Sequence, residues 1–126
     1  MIFDTDIVIW AIRGRAWAQR LLVSADKPAI SLATWMELVE GARDKRELAN
    51  LRKMLTDLEM RVLPLSEPIG ALATDYLEKH ALADGLEAMD ALIAATAVKH
   101  NSVLATGNFK HFKVLHGLRI EQHTDA

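Results

Sequence analysis

Short apolar runs alternate along this chain with longer segments of helical periodicity. The opening MIFDTDIVIW reads as a short strand leading into a helix, interrupted by Asp4 and Asp6. Arg13, Gly14 and Arg15 break that pattern, and residues 16 to 24 form a short helix with Trp17, Leu21 and Leu22 on one face. Pro28 to Leu32 is a second strand, and TWMELVEGA is a strong helix ending near Gly41. RDKRELANLRKMLTDLEM carries Leu48, Leu51, Leu55 and Leu58 at helical spacing. RVLPL is a third strand, with Pro64 favouring a sheet edge.

Ser66 is placed to cap the next helix, with Pro68 in its first turn. The core stripe of that helix is Ile69, Leu72, Ala73, Tyr76 and Leu77. Asp84-Gly85 marks a loop, Ala88 to His100 a helix, Ser102 to Thr106 a strand and Leu118 to Gln122 a last strand. Strands that alternate with helices predict an α/β sandwich around a mainly parallel sheet. Ligands of such sheets sit beyond the carboxyl ends of the strands. Asp4 and Asp6 are expected at the end of the first strand, and Thr106 and Asn108 at the end of the fourth.

Length and composition narrow the class. A chain of 126 residues fits one domain, residues 1–126, and can bury a core without disulfides. Half of it is apolar (51%) and a quarter charged (25%), the balance of a soluble globule. The absence of cysteine excludes a disulfide scaffold, a thiolate zinc site and a thiol nucleophile. No apolar run reaches the roughly 18 residues of a membrane span, and the N-terminus lacks the pattern of a signal peptide. A cytoplasmic protein is expected. The net charge of −2 gives no general pull toward nucleic acid, so a polyanion must be held by local basic patches or by metal.

Three carboxylates each interrupt an apolar surface. Asp4 ends the first strand, and Glu37 sits among Trp35, Met36, Leu38 and Val39. Asp90 shares a stripe with Ile93, Ala94 and Ala97. Converging acids repel unless a divalent cation neutralises them, and oxygen-only ligands suit Mg²⁺ or Mn²⁺. Each position also has a plain structural reading. Asp90 can cap its helix, Glu37 can reach solvent or pair with Arg43, and Asp4 can begin an Asx-turn. Asp6 is read as a turn or supporting residue, and Glu40 as a solvated charge. The case for a site rests on the set.

The segments IFDTDIVIW, ISLATWMELVEGA, MDALIAATA and LATGNFKHF together resemble the PIN-domain ribonucleases, in particular the VapC-type toxins of bacterial toxin–antitoxin pairs. MDALIAATA with the downstream TGN is the most specific part. The resemblance implies a PIN-like three-layer α/β/α sandwich with a central, mainly parallel sheet. The family's successive acids fall on Asp4, Glu37 and Asp90. Thr106 and Asn108 match its late polar positions, and Phe112 its aromatic. His111 stands where an acid is often found, so three acids plus Asn108 are expected to form the site, and His111 is read as an exposed loop residue.

The implied activity is a Mg²⁺- or Mn²⁺-dependent endoribonuclease. Asp4, Glu37, Asp90 and Asn108 would be ligands for one ion, or for two about 4 Å apart. Thr106 and Asn108 would orient water or phosphate, with Asp6 in support. Arg13, Arg15 and Lys110 are the candidates for RNA contact, Lys113 also follows the last motif, and the basic stretch from Arg43 to Lys53 is read as a solvated face. The implied partners are RNA, a VapB-like antitoxin and a second copy of the chain. Apolar residues around Trp10, Trp17 and Leu21 would suit a helix-in-groove contact with the antitoxin.

Two rivals remain at this level. FDTDIVI also resembles the opening of haloacid-dehalogenase-type phosphatases, with Asp4 as nucleophile and Asp6 as general acid. That reading leaves Glu37 without a role. The other rival is a PIN-like or flavodoxin-like module that only binds a partner.

Overall fold

The computed structural model describes residues 1–125. The elements follow in the order β1 (Ile2–Phe3), α1 (Thr5–Ile12), α2 (Ala16–Ser24), β2 (Ala29–Ser31), α3 (Leu32–Gly41) and α4 (Lys45–Asp57). They continue with β3 (Arg61–Leu63), α5 (Glu67–Asp84), α6 (Ala88–Lys99), β4 (Leu104–Thr106), α7 (Phe109–Phe112) and β5 (Ile120–Gln122). All strand pairings are parallel, in the order β3-β2-β1-β4-β5. β3 lies at an edge, where Pro64 directly after it interrupts no ladder.

Helices cover both faces of this sheet, as in an α/β/α sandwich. Alternation along each strand divides the core in two. Ile2, Ala29 and Leu104 face a cluster with Ile69, Tyr76 and Ile93 from α5 and α6. Phe3, Ile30 and Ala105 face the opposite cluster with Ile7, Val8, Leu22 and Leu38 from α1, α2 and α3. The helix α6 is buried on most sides, from Ala91 through Ala97, because its alanines let α5 and the sheet approach closely. Gly85 caps α5 in the left-handed region at φ 70°, where glycine has no Cβ to clash.

The strands are shorter than their apolar patterns suggest. Ser102 and Val103 precede β4, Leu118 and Arg119 precede β5, and Leu32 already belongs to α3. Caps cut them short: Asp4 and Ser31 each turn the chain from a strand directly into a helix.

Sheet order creates the crevice. From β1 the chain builds outward through β2 and β3, then returns to place β4 on the other side of β1. β1 and β4 therefore flank a topological switch point, the place where such sheets open at their carboxyl ends.

Candidate active site

Asp4 lies at that switch point and is 5% exposed. As N-cap of α1 it accepts from the Thr5 backbone N–H through Oδ1 at 2.8 Å. Its Oδ2 accepts from the Thr106 hydroxyl at 2.7 Å, which ties the end of β1 to the end of β4. The Thr106 oxygen in turn accepts from the Asn108 N–H at 2.9 Å. Burial raises the pKa of Asp4, the Thr106 and Thr5 hydrogen bonds oppose this, and the Glu37 charge adds to the rise.

Glu37 is half-buried on α3. Its Oε1 accepts from the Thr5 hydroxyl at 2.6 Å. It does not pair with Arg43, which instead holds Glu47 in the first turn of α4 at 2.7 Å. Asp90 is on the third residue of α6, and the cap position belongs to Glu87. The capping reading of Asp90 is therefore excluded, and its half-buried carboxylate lies 3.9 Å from His111 Nδ1. Burial pushes its pKa up to about 6, reinforced by the Asp4 and Glu37 charges and opposed by His111. These mutual effects place the three acids in one electrostatic neighbourhood.

Asp6 departs from expectation. It lies in the first turn of α1, beyond the strand. Its Oδ2 accepts from the Gly107 N–H at 3.0 Å, while Oδ1 is buried with no hydrogen-bond partner. Burial pushes its pKa up to about 7, with the Asp4 charge next in importance. An acid packed against a backbone N–H is poorly placed for the open cleft that a phosphatase general acid needs. Gly107 permits this contact: a Cβ there would lie 2.4 Å from the Trp10 ring and 2.9 Å from Asp6 Oδ2.

His111 is also displaced from its expected setting. It sits in α7, where its Nδ1 lies 3.0 Å from Asn108 Nδ2 and 3.9 Å from Asp90 Oδ2. It borders the acids instead of a free loop. Among the described residues no arginine or lysine forms an ion pair with Asp4, Asp6, Glu37 or Asp90.

The acids repel one another without forming a finished cage: among the described residues no three His, Asp or Glu side chains are already gathered as a metal-holding group. The donor chemistry nevertheless fits a hard divalent cation. The groups are oxygen donors of like charge; hydroxyl and backbone N–H donors hold Asp4 and Glu37, and among the described residues no arginine or lysine pairs with any of the three.

The surroundings sort the remaining candidates. Arg13 is exposed and lines a groove of about 670 Å³ between α1, α3 and α4, with Glu37 in the same groove and Ile9, Ile12, Leu51 and Met54 among its apolar walls. Lys110 is exposed on α7. Arg15 is engaged, its Nε donating to Asp125 at 2.9 Å. Trp10, Trp17 and Leu21, expected as an exposed apolar patch, are half-buried. Trp10 lies over Gly107, while Trp17 stacks on His123 and donates its Nε1–H to Asp125. Thr5 and Gly107 drew no notice in the sequence beyond their place in the DTD and TGN motifs.

Residues 1–116 match the PIN domain family. Ribonuclease VapC10 of Mycobacterium tuberculosis is 34% identical over 125 residues, covering 94% of this chain and 90% of the relative. A toxin-antitoxin complex from Klebsiella pneumoniae contains a similar chain, at 31% identity and a TM-score of 0.77 over 93% of each. DNA-bound VapBC from Salmonella typhimurium gives 26% identity and a TM-score of 0.80 over 96% of each chain.

Proposed function

The chain belongs to the PIN domain family, and from that premise we propose that it is an endoribonuclease toxin, dependent on Mg²⁺ or Mn²⁺ and neutralised by a VapB-like antitoxin. What supports this reading is that Asp4, Glu37 and Asp90, from three separate elements, share one electrostatic neighbourhood near the carboxyl end of the sheet, while among the described residues no arginine or lysine pairs with them. Partly buried acids of like charge are unfavourable unless a ligand answers them.

Asp4, Glu37 and Asp90, joined by Asn108, would hold the cation. Such a cation stabilises charge at a reacting phosphate and lowers the pKa of water. The chain's own residues do the positioning. Thr106 holds Asp4 and, through its oxygen, the backbone of Asn108. Asp6 supports from behind by fixing Gly107. Arg13 and Lys110 contact RNA phosphates on approach, with Arg15 behind its ion pair to Asp125. An antitoxin segment lies in the groove between α1, α3 and α4, its apolar side on Ile9, Leu51 and Met54 and its polar side toward Arg13 and Glu37.

The deciding test incubates antitoxin-free protein with total cellular RNA, with Mg²⁺, with Mn²⁺ and with chelator, beside its Asp90→Asn variant. Discrete products that require both the cation and Asp90 are expected. A folded protein that cleaves nothing under any of these conditions would point to a PIN module retained for binding.

A further inference from the structure

Asp4 and Glu37 are separated in the chain by α1, α2, β2 and the first half of α3, yet one residue touches both. Thr5 gives its backbone N–H to Asp4 Oδ1 at 2.8 Å and its hydroxyl to Glu37 Oε1 at 2.6 Å. Its oxygen also lies 3.1 Å from the hydroxyl of Thr34. A hydroxyl carries a single proton and two lone pairs. With that proton on Glu37, the fully buried Thr34 hydroxyl is left to donate back to Thr5.

We propose that Thr5 is a positioning residue of this site, setting the spacing between Asp4 and Glu37 from its two neighbouring donors. Thr5 occupies the first position of α1, where helix formation places little demand on side-chain type. The hydroxyl is therefore the feature that binds the side chain to its surroundings. Thr34 precedes Glu37 by three residues on α3, so both face Thr5 across the same helix surface. The Thr34–Thr5–Glu37 chain holds an acid near a second acid with neutral donors, which leaves lone pairs on both carboxylates for a ligand. Partners that orient metal-binding side chains in this way typically contribute 10- to 100-fold in affinity or activity.

This inference rests on the cation-dependent reading above, and one experiment separates the two. Mn²⁺ binding by calorimetry and RNA cleavage are measured for the wild type, Thr5→Val and Thr5→Ser. Valine keeps the shape and the backbone N–H but removes the hydroxyl. Thr5→Val should weaken Mn²⁺ binding about tenfold or more and lower kcat similarly, with KM for RNA little changed. Thr5→Ser should restore most of both. If Thr5→Val does not fold by circular dichroism, Thr5→Ala takes its place with the same expectation. Equal Mn²⁺ affinity and kcat in the wild type and the hydroxyl-free variant would overturn the role of Thr5 alone. A wild type that takes up no Mn²⁺ would overturn the cation-dependent reading and this inference with it.

Discussion

The charges of α4 and those of the cleft obey the same electrostatics with opposite results. Around α4, Arg43 just before the helix pairs with Glu47 at 2.7 Å, and Lys53 pairs with Asp57 at 2.8 Å across one helical turn, both open to solvent. The acids Asp4, Glu37 and Asp90 come from separate elements and sit half or wholly buried; threonine hydroxyls hold the first two, and Asp90 lies 3.9 Å from His111 Nδ1. Exposed pairs at i,i+4 contribute little because water screens them and two long side chains must be ordered. Buried like charges raise one another's pKa and leave the fold under tension. A chain retains such tension where a ligand relieves it, so the unbalanced group is the informative one.

The largest effect that would break this contrast is on activity. Asp4→Asn should lower RNA cleavage about a thousandfold or more, near 4 kcal/mol of barrier, while circular dichroism shows an unchanged fold. Full activity in that variant would remove Asp4 from the site.

Stability against pH sharpens the same contrast. Asp90 and Asp6 have pKa values near 6 and 7 in the folded protein, against an ordinary 3.8. Between about pH 4 and 7 the folded chain therefore holds more protons than the unfolded chain, and rising pH removes stability. For Asp90 the loss should be on the order of 1–2 kcal/mol after allowance for solvent screening. Melts in chelator at pH 5 and pH 7.5 should show the decline, and Asp90→Asn should flatten it. Added Mn²⁺ should recover stability at pH 7.5 for the wild type but much less for the variant. Parallel pH profiles for the two proteins would contradict the repulsion.

The smallest effect belongs to α4. Lys53→Ala, which removes an exposed pair, should leave the melting temperature and the cleavage rate unchanged within error. A marked loss of cleavage would transfer this helix from solvated surface to RNA contact.

Local patterns carried much of this information. The helical stripes placed Ile69, Ala73 and Tyr76 in the core, and the polar interruption at Asp90 marked a half-buried acid on the stripe of Ile93 and Ala94. The Lys53–Asp57 pair follows from the helical pattern alone, since partners four residues apart need only a helix. Asp6 was misplaced because a cap at Asp4 ends β1 sooner than the apolar run suggests. The half-burial of Trp17 was hidden because it depends on His123 and Asp125, more than a hundred residues away.

By itself, then, the sequence determined the alternation of strands and helices and the apolar stripes that the acids interrupt. These follow from the short periods of backbone geometry, 2 and 3.6 residues, which any window of the chain displays. Tertiary structure alone decided which groups hold those acids. The Thr5–Glu37 and Thr106–Asp4 hydrogen bonds span 32 and 102 residues of chain. They exist because β1 lies between β2 and β4, an order set by packing the whole sheet at once and carried by no local pattern.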